Sequence, residues 1–103
     1  MIRGTTPTEV FTVNNPEAID LAQCSQIWAT ITDNSGKDYT WDSERLVVDG
    51  STISLALTQE ETLRFKVGAA RAQLRFLYSD GTAFASKPCP LRIEDVRKDG
   101  VIS

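Results

Sequence analysis

The sequence contains no histidine among its 103 residues. Histidine is the side chain best suited to moving protons near neutral pH and is the commonest metal ligand, so its absence argues against acid–base catalysis and most metal sites. Gly36, Gly50, Gly81 and Gly100 each stand alone after polar turn residues, so the sequence shows no glycine-rich phosphate loop. We therefore predict a protein that is not an enzyme and holds no cofactor and no metal ion.

Cysteines and long apolar runs are also scarce. Cys24 and Cys89 lack the CxxC spacing of zinc and redox motifs, and we expect two small half-buried thiols, with a disulfide as the alternative. No run approaches the roughly 20 apolar residues that cross a bilayer, and the N-terminus lacks a signal-peptide pattern. The sequence predicts a chain made in the cytosol without a membrane partner.

Positive charge is limited to 11 lysines and arginines, against 14 acidic residues, which gives a net charge of -3. Nucleic-acid binding would need a local basic patch against this acidic background. Arg71 and Arg75 flank Gln73 and would share one face of a strand with it, for which a solvated outer face is the favoured interpretation. We therefore expect no nucleic-acid partner.

Short runs of alternating apolar and polar residues fill most of the chain and are separated by turn residues at near-regular intervals. This pattern is typical of antiparallel strands. The segment 17–22 has no apolar period and is predicted to be a loop. The predicted strands are 8–13, 26–33, 37–42, 45–48, 52–57, 70–78, 83–86 and 91–94.

About seven strands and one short helical turn predict an all-β fold, an immunoglobulin-like β-sandwich that forms a single domain over residues 1–103. A small β-barrel is the alternative. The helical turn is predicted where Thr58 and Glu61 have the spacing of a capping box. Two prolines in the segment 87–90 interrupt the last strand, because proline cannot donate to a ladder. The predicted core is Phe11, Ile27, Ala29, Ile31, Tyr39, Trp41, Leu46, Val48, Ile53, Leu55, Leu57, Leu63, Phe65, Ala72, Leu74, Phe76 and Ile93.

The residues predicted to contact other molecules lie at the margins of the sandwich. The segments 1–7 and 97–103 are predicted to be extended terminal arms, which in an assembling protein can add strands to a neighbour's sheet. Trp28 alternates with Ile27 and Ala29, so it is either an exposed anchor on the outer face or, with the register shifted by one, part of the core. The candidate interaction residues are Trp28, Ile2, Arg3, Arg71, Arg75, Val101 and Ile102.

Four segments carry a family resemblance that covers nearly the whole chain. They are RGTTPT at 3–8, LTQEETL at 57–63, DGTA at 80–83 and DGVI at 99–102. In combination they resemble small all-β structural or tail-region proteins of tailed bacteriophages and prophages of Firmicutes. The segment 87–90, KPCP, departs from that pattern, which favours a plainer strand there.

The resemblance implies a virion-associated protein of the tail or baseplate region, without catalytic residues. Its expected partners are other phage structural proteins or further copies of itself in a homo-oligomer, and its expected location is the virion or the host bacterial cytoplasm during assembly. The alternative function is a carbohydrate-binding module of a host-recognition apparatus, with Trp28, Tyr39 or Trp41 as the stacking platform.

Overall fold

Two antiparallel sheets make up the computed structural model, which describes residues 1–13, 21–98 and 100–102. The small sheet has the strand order β1-β5-β4. The large sheet has the order β3-β2-β6, and β7 and β8 both pair with the other side of β6. The strands are β1 Thr8–Thr12, β2 Cys24–Thr32, β3 Asp38–Trp41, β4 Leu46–Asp49, β5 Thr52–Ala56, β6 Gly68–Tyr78, β7 Ala83–Ala85 and β8 Cys89–Ile93.

The strand order is that of an immunoglobulin-like sandwich, as the sequence predicts. Hairpins join β2 to β3, β4 to β5 and β6 to β7 within a sheet, and β7 to β8 also stays within the large sheet. The connections β1 to β2, β3 to β4 and β5 to β6 cross between the sheets. In immunoglobulin letters the small sheet is B-E-D and the large sheet is C′-C-F-G. The sheets are separate among the described residues, so the fold is a sandwich and not the alternative barrel.

The core lies between the sheets, because alternate residues of each strand point inward. Most of the predicted core residues are buried, while Phe11, Tyr39 and Leu63 are half-buried. The prediction that Val48 belongs to the core is wrong: its side chain is 43% exposed because β4 is an edge strand. The buried hydrophobic residues are Leu21, Ile27, Ala29, Ile31, Trp41, Leu46, Ile53, Leu55, Leu57, Phe65, Ala72, Leu74, Phe76 and Ile93.

Leu21 is the buried residue that the sequence reasoning missed. It lies in a 3-10 helix, Leu21–Gln23, at the end of a segment predicted to be a loop. The part of that prediction that covers 17–20 lies outside the described residues.

The predicted helical turn is α1, Gln59–Arg64, and its capping box is confirmed. The Thr58 hydroxyl accepts from the Glu61 amide at 3.2 Å, and the Glu61 side chain accepts from the Thr58 amide at 2.9 Å. The buried Thr62 hydroxyl accepts from the Gly4 amide at 2.9 Å. Helix α1 therefore also holds the N-terminal segment against the domain.

The segment 1–7, which the sequence predicts to be an extended terminal arm, is bonded to the domain along its length. Ile2 forms a parallel bridge with Glu94 beyond the end of β8, and the Arg3 amide donates to the Glu94 carbonyl at 2.9 Å. At its other end, the Pro7 carbonyl accepts from the Leu57 amide at 3.0 Å. Because its backbone groups are bonded within the domain, this segment covers part of the outer edge of β8.

The described part of the segment 97–103 also contacts the domain. The Gln59 side-chain amide donates to the Ile102 carbonyl at 2.9 Å and accepts from the Ile102 amide at 2.8 Å. Val101 and Ile102 nevertheless remain 56% exposed each. Asp99 and Ser103 lie outside the described residues.

The proline-containing segment 87–90 breaks the last strand as predicted, but pairing resumes earlier. Strand β8 begins at Cys89, two residues before the predicted start, and Pro90 lies opposite Arg71 of β6. Proline is tolerated there because β8 is on the edge of the sheet. Ser86 spans the break, since its amide donates to the Leu74 carbonyl at 2.8 Å and its hydroxyl accepts from the Leu74 amide at 2.9 Å.

Candidate interaction surface

The outer face of the large sheet brings together three of the predicted interaction residues. Strands β2 and β6 run antiparallel with Trp28 opposite Arg75 and Thr32 opposite Arg71. Because Ile27, which neighbours Trp28, is buried between the sheets, Trp28 belongs to the opposite face. We call this surface the outer face; its central residues are Trp28, Thr30, Thr32, Thr40, Arg71, Gln73 and Arg75.

Trp28 is a half-buried ring on this face and is not part of the core. It borders a depression of about 410 Å³ that extends to Arg75, Leu77 and Ala83. The register alternative that placed Trp28 in the core is therefore wrong. A large aromatic ring beside a guanidinium offers a partner both apolar area and directed hydrogen bonds.

Arg71 and Arg75 bring two positive charges to the outer face, where the Asp38 carboxylate lines the depression between them. Both are exposed, and neither forms a hydrogen bond or an ion pair with the part of the chain that the structure describes. A second depression of about 290 Å³ lies between them and includes Gln73 and Pro88. The two depressions share Thr30 and Arg75, so they form one continuous surface.

The polar side chains between the arginines are fixed by neighbours. The hydroxyls of Thr30 and Thr40 are 2.9 Å apart across β2 and β3, and the Thr32 hydroxyl donates to Asp38. The Gln73 amide donates to the Ser86 carbonyl at 2.8 Å. A surface whose side chains are already ordered loses less conformational entropy when it binds.

The other predicted interaction residues lie elsewhere. The Arg3 guanidinium donates to Asp95 at 2.7 Å and to the Leu63 carbonyl at 2.8 Å, so it holds the N-terminal segment in place. Ile2 is 45% exposed beside β8, whereas Val101 and Ile102 lie near helix α1. The seven residues therefore do not form one site.

Tyr39 and Trp41 do not form a stacking platform, which corrects that part of the alternative function. Both rings pack edge-on against Phe65, at centroid distances of 5.0 and 6.4 Å. The Trp41 indole donates to Glu61 at 2.6 Å, and the Tyr39 hydroxyl donates to the Arg64 carbonyl at 3.0 Å. The two aromatic residues of β3 therefore contribute to the interior.

Asp33 is a buried carboxylate, 4% exposed, at the turn between β2 and β3. It accepts hydrogen bonds from the Ser35 hydroxyl at 2.6 Å and from the amides of Ser35, Lys37 and Lys66 at 3.0 to 3.2 Å. Burial raises the pKa of Asp33, but these bonds outweigh it and lower the pKa below its ordinary value. The ionised group joins the turn to the segment after α1.

Glu61 is the second carboxylate with an unusual environment. Arg45 binds both of its oxygens, at 2.7 and 2.9 Å, and Trp41 and Thr58 donate to it as well. The Arg45 hydrogen bonds, helped by the Trp41 indole and the Thr58 amide, lower the pKa of Glu61 to about 2 despite its burial. Its hydrogen bonds indicate a structural role.

The described residues contain no group of three or more histidine, cysteine or acidic side chains placed to hold a metal ion. Cys24 and Cys89 form no disulfide; Cys24 is half-buried as expected, but Cys89 is exposed because it lies on the sheet edge. Among the described residues, no helix has the length and apolar character needed to cross a membrane. Comparison with known proteins found no matching family model, curated protein or solved structure.

Alternation along the predicted strand 26–33 already sets Thr30 and Thr32 on one face with Trp28, and the threonine of the outer face that sequence reasoning did not single out is Thr40. Thr30 and Thr32 share the outward side of β2 with Trp28, and Thr40 is opposite Thr30 on β3. The signal that identifies them is the alternation of β2 combined with the hairpin register, which sets cross-strand neighbours once the turn is known.

Proposed function

We propose that this protein is a non-enzymatic structural component of a phage or prophage particle, in its tail or baseplate region. It acts through contacts with other phage structural proteins or with further copies of itself, in the virion or in the host bacterial cytoplasm during assembly. The assignment to a particle is supported by the sequence resemblance. The contact chemistry is supported by the outer face of the large sheet.

One observation carries the contact chemistry: Trp28 lies directly opposite Arg75 on an exposed and ordered sheet face. Tryptophan and arginine are the residue types enriched at the energetic centres of protein interfaces. Arg71 extends the same face with a second guanidinium that has no partner among the described residues. The face therefore suits a partner that presents apolar area beside carboxylates or carbonyl groups, which a guanidinium binds with paired hydrogen bonds.

The alternative function, a carbohydrate-binding module, has less support from the structure than protein contact. Tyr39 and Trp41 are directed to the interior, so Trp28 is the single ring of the three that is left for stacking on a sugar. Protein contact uses the arginines as well as the ring, and it agrees with the resemblance.

The test compares particle incorporation of wild-type protein with that of Trp28→Ala and Arg75→Glu. Particles from the induced source prophage or its phage are purified, and the protein is quantified by peptide mass spectrometry. We expect wild-type protein in the particles and at least tenfold less of either variant. Arg97→Glu is the matched control, because Arg97 is exposed and lies outside the outer face.

Absence of the wild-type protein from purified particles would overturn the particle assignment. Equal incorporation of Trp28→Ala, Arg75→Glu and Arg97→Glu would overturn the role of the outer face. Binding to cell-wall glycans that disappears in Trp28→Ala but not in Arg75→Glu would instead support the carbohydrate function. Circular dichroism of each variant checks that the fold is retained.

A further inference from the structure

The outer edge of β4 is unprotected, in contrast to the edge formed by β7 and β8. The latter edge contains Pro88 and Pro90 and is partly covered by residues 1–3. Natural sheets protect exposed edges with proline, lysine, bulges or covering segments. Strand β4 contains neither proline nor lysine, and its Val47 is 65% exposed. Within the described residues, no strand pairs with its outer side.

The backbone groups available on this edge follow from the hairpin. Gly50, with a φ of 60°, is the first residue of a two-residue turn, so Asp49 and Thr52 form a hydrogen-bonded pair. Hydrogen-bonded pairs alternate along an antiparallel ladder, so Val47 bonds to Ser54. The amide and the carbonyl of Val48 therefore point away from β5, toward the open edge.

We propose that a second copy of this chain pairs with β4 antiparallel, across a two-fold axis that passes through Val47. The inference rests on the proposed function for its biological role and names the chain itself as one of the partners. In this register the Val48 amide donates to the partner's Leu46 carbonyl. The Leu46 amide, which donates to the Ser43 carbonyl of its own chain at 3.3 Å, must turn from it to reach the partner's Val48 carbonyl. The pairing is isologous, with the same strand contributed by both copies.

Charge complementarity supports a second copy in this register. Centring the pairing on Val47 sets Arg45 opposite the partner's Asp49, and the two-fold axis repeats that pair. The Asp49 carboxylate forms no hydrogen bond or ion pair with the described residues, and the Arg45 guanidinium uses three N–H groups in its bonds to Glu61 and Ala56. Two of its five N–H groups remain for a carboxylate. Opposite charges on facing strands stabilise the pairing, whereas like charges oppose it.

The side chains on the outside of the small sheet are consistent with the same arrangement. Val10, Ser54 and Val47 form one row across β1, β5 and β4, and Val10 and Val47 are exposed. Pairing through β4 joins two small sheets into one of six strands. The row then continues through Val47 of both copies and covers part of each exposed valine.

The other edge of the small sheet, β1, is less suited to self-pairing. A two-fold register centred on Val10 would set Thr8 opposite the partner's Thr12 and Glu9 opposite the partner's Phe11. That register contains no pair of opposite charges and places a carboxylate against an aromatic ring. Val10 therefore supplies a matched control position, since it is an exposed valine on the same sheet.

The experiment is a disulfide-trapping assay with full-length protein in which Cys24→Ala and Cys89→Ser remove the natural thiols. In the proposed register the two copies of residue 47 form a non-hydrogen-bonded pair with Cα atoms about 4.5 Å apart, within the range of a disulfide. Val47→Cys should give a covalent dimer on mild oxidation, at least tenfold more than Val10→Cys. Comparable trapping at both positions, or none at position 47, would overturn the proposal.

A second measurement does not depend on a disulfide. Val47→Lys places like charges at the two-fold axis, and Asp49→Lys sets lysine opposite the partner's Arg45. Each should raise the dimer dissociation constant measured by sedimentation equilibrium at least tenfold, whereas Val10→Lys should not. Wild-type protein that is monomeric at millimolar concentration would refute the inference. A monomeric wild-type protein would not contradict the proposed function if Trp28→Ala still lowers particle incorporation, because Trp28 is on the other sheet.

Discussion

Glu61 joins three parts of the domain, and its replacement by glutamine isolates the contribution of its charge. One carboxylate oxygen accepts from Arg45 and Thr58, and the other accepts from Arg45 and Trp41. Glutamine keeps the shape of the side chain but places an NH₂ group where one oxygen accepts two donors. Glu61→Gln therefore removes the negative charge and sets donors against donors, while the fold around it is retained.

The magnitude follows from the pKa of Glu61, which is lowered from an ordinary value of 4.5 to about 2. One pH unit of difference corresponds to about 1.4 kcal/mol, so the ionised carboxylate stabilises the folded protein by roughly 3 kcal/mol at neutral pH. The folded-state pKa is the lower one, so this stability is present above pH 4.5 and is lost as the pH falls toward 2. By pH 3, about 2 kcal/mol of it has been lost.

Urea unfolding followed by tryptophan fluorescence measures the effect at pH 7 and pH 3. The free energy of unfolding of Glu61→Gln should be lower than wild type by about 3 kcal/mol at pH 7, and the difference should narrow at pH 3. Glu60→Gln is the control, because Glu60 lies on the same helical turn but is exposed, and it should change stability by less than about 0.5 kcal/mol. A difference independent of pH, or an equal loss in Glu60→Gln, would refute the reasoning.

Three further predictions concern stability. Asp33→Asn should lower the free energy of unfolding by about 2 kcal/mol, because an amide cannot accept all four hydrogen bonds; a loss in urea unfolding that stays constant as the pH falls below the ordinary pKa of aspartate would contradict a role for its charge. Gly68→Ala should lower stability by about 2 kcal/mol, since φ is 125° and a Cβ atom would lie 2.9 Å from the Asn34 side chain. Gly81→Ala meets no atom within 4 Å, so an equal loss of melting temperature there would be evidence against that contact. Arg3→Ala should speed amide exchange of Glu94, which the N-terminal segment protects, and unchanged exchange measured by NMR would show that Arg3 does not hold this segment.

The sandwich could be predicted because its signals are local. Alternation in β2 correctly separates Ile27 from Trp28, since the side-chain period of a strand is two. The capping box at Thr58 and the turn at Gly50 depend on residues within four positions of each other. The prediction that Val48 is buried is wrong because alternation shows which side of a strand faces inward but not whether that strand lies at the edge of a sheet.

The contacts that fix the ends and the carboxylates could not be predicted from local patterns. Arg3 and Asp95 are 92 residues apart, and Glu61 meets Trp41 across 20 residues. Such pairs depend on how the sheets pack and on which strands become neighbours, and no propensity rule contains that information. The docking of residues 1–7 could not be predicted for this reason, because glycine and proline indicate an extended backbone without showing where it docks.

The two proposed surfaces are compatible with simultaneous use because they lie on different sheets. The outer face of the large sheet contains Trp28 and Arg75, whereas Val47 is on the edge strand of the small sheet. A two-fold dimer through β4 would carry two copies of the outer face on one rigid body. Two linked sites bind a repetitive partner far more tightly than one, by up to a factor of 10² to 10⁴ where the geometry lets both engage. Val47→Lys should therefore weaken incorporation into a repetitive particle although residue 47 itself touches no other component, and unchanged incorporation of a monomeric variant would show that the dimer contributes no avidity.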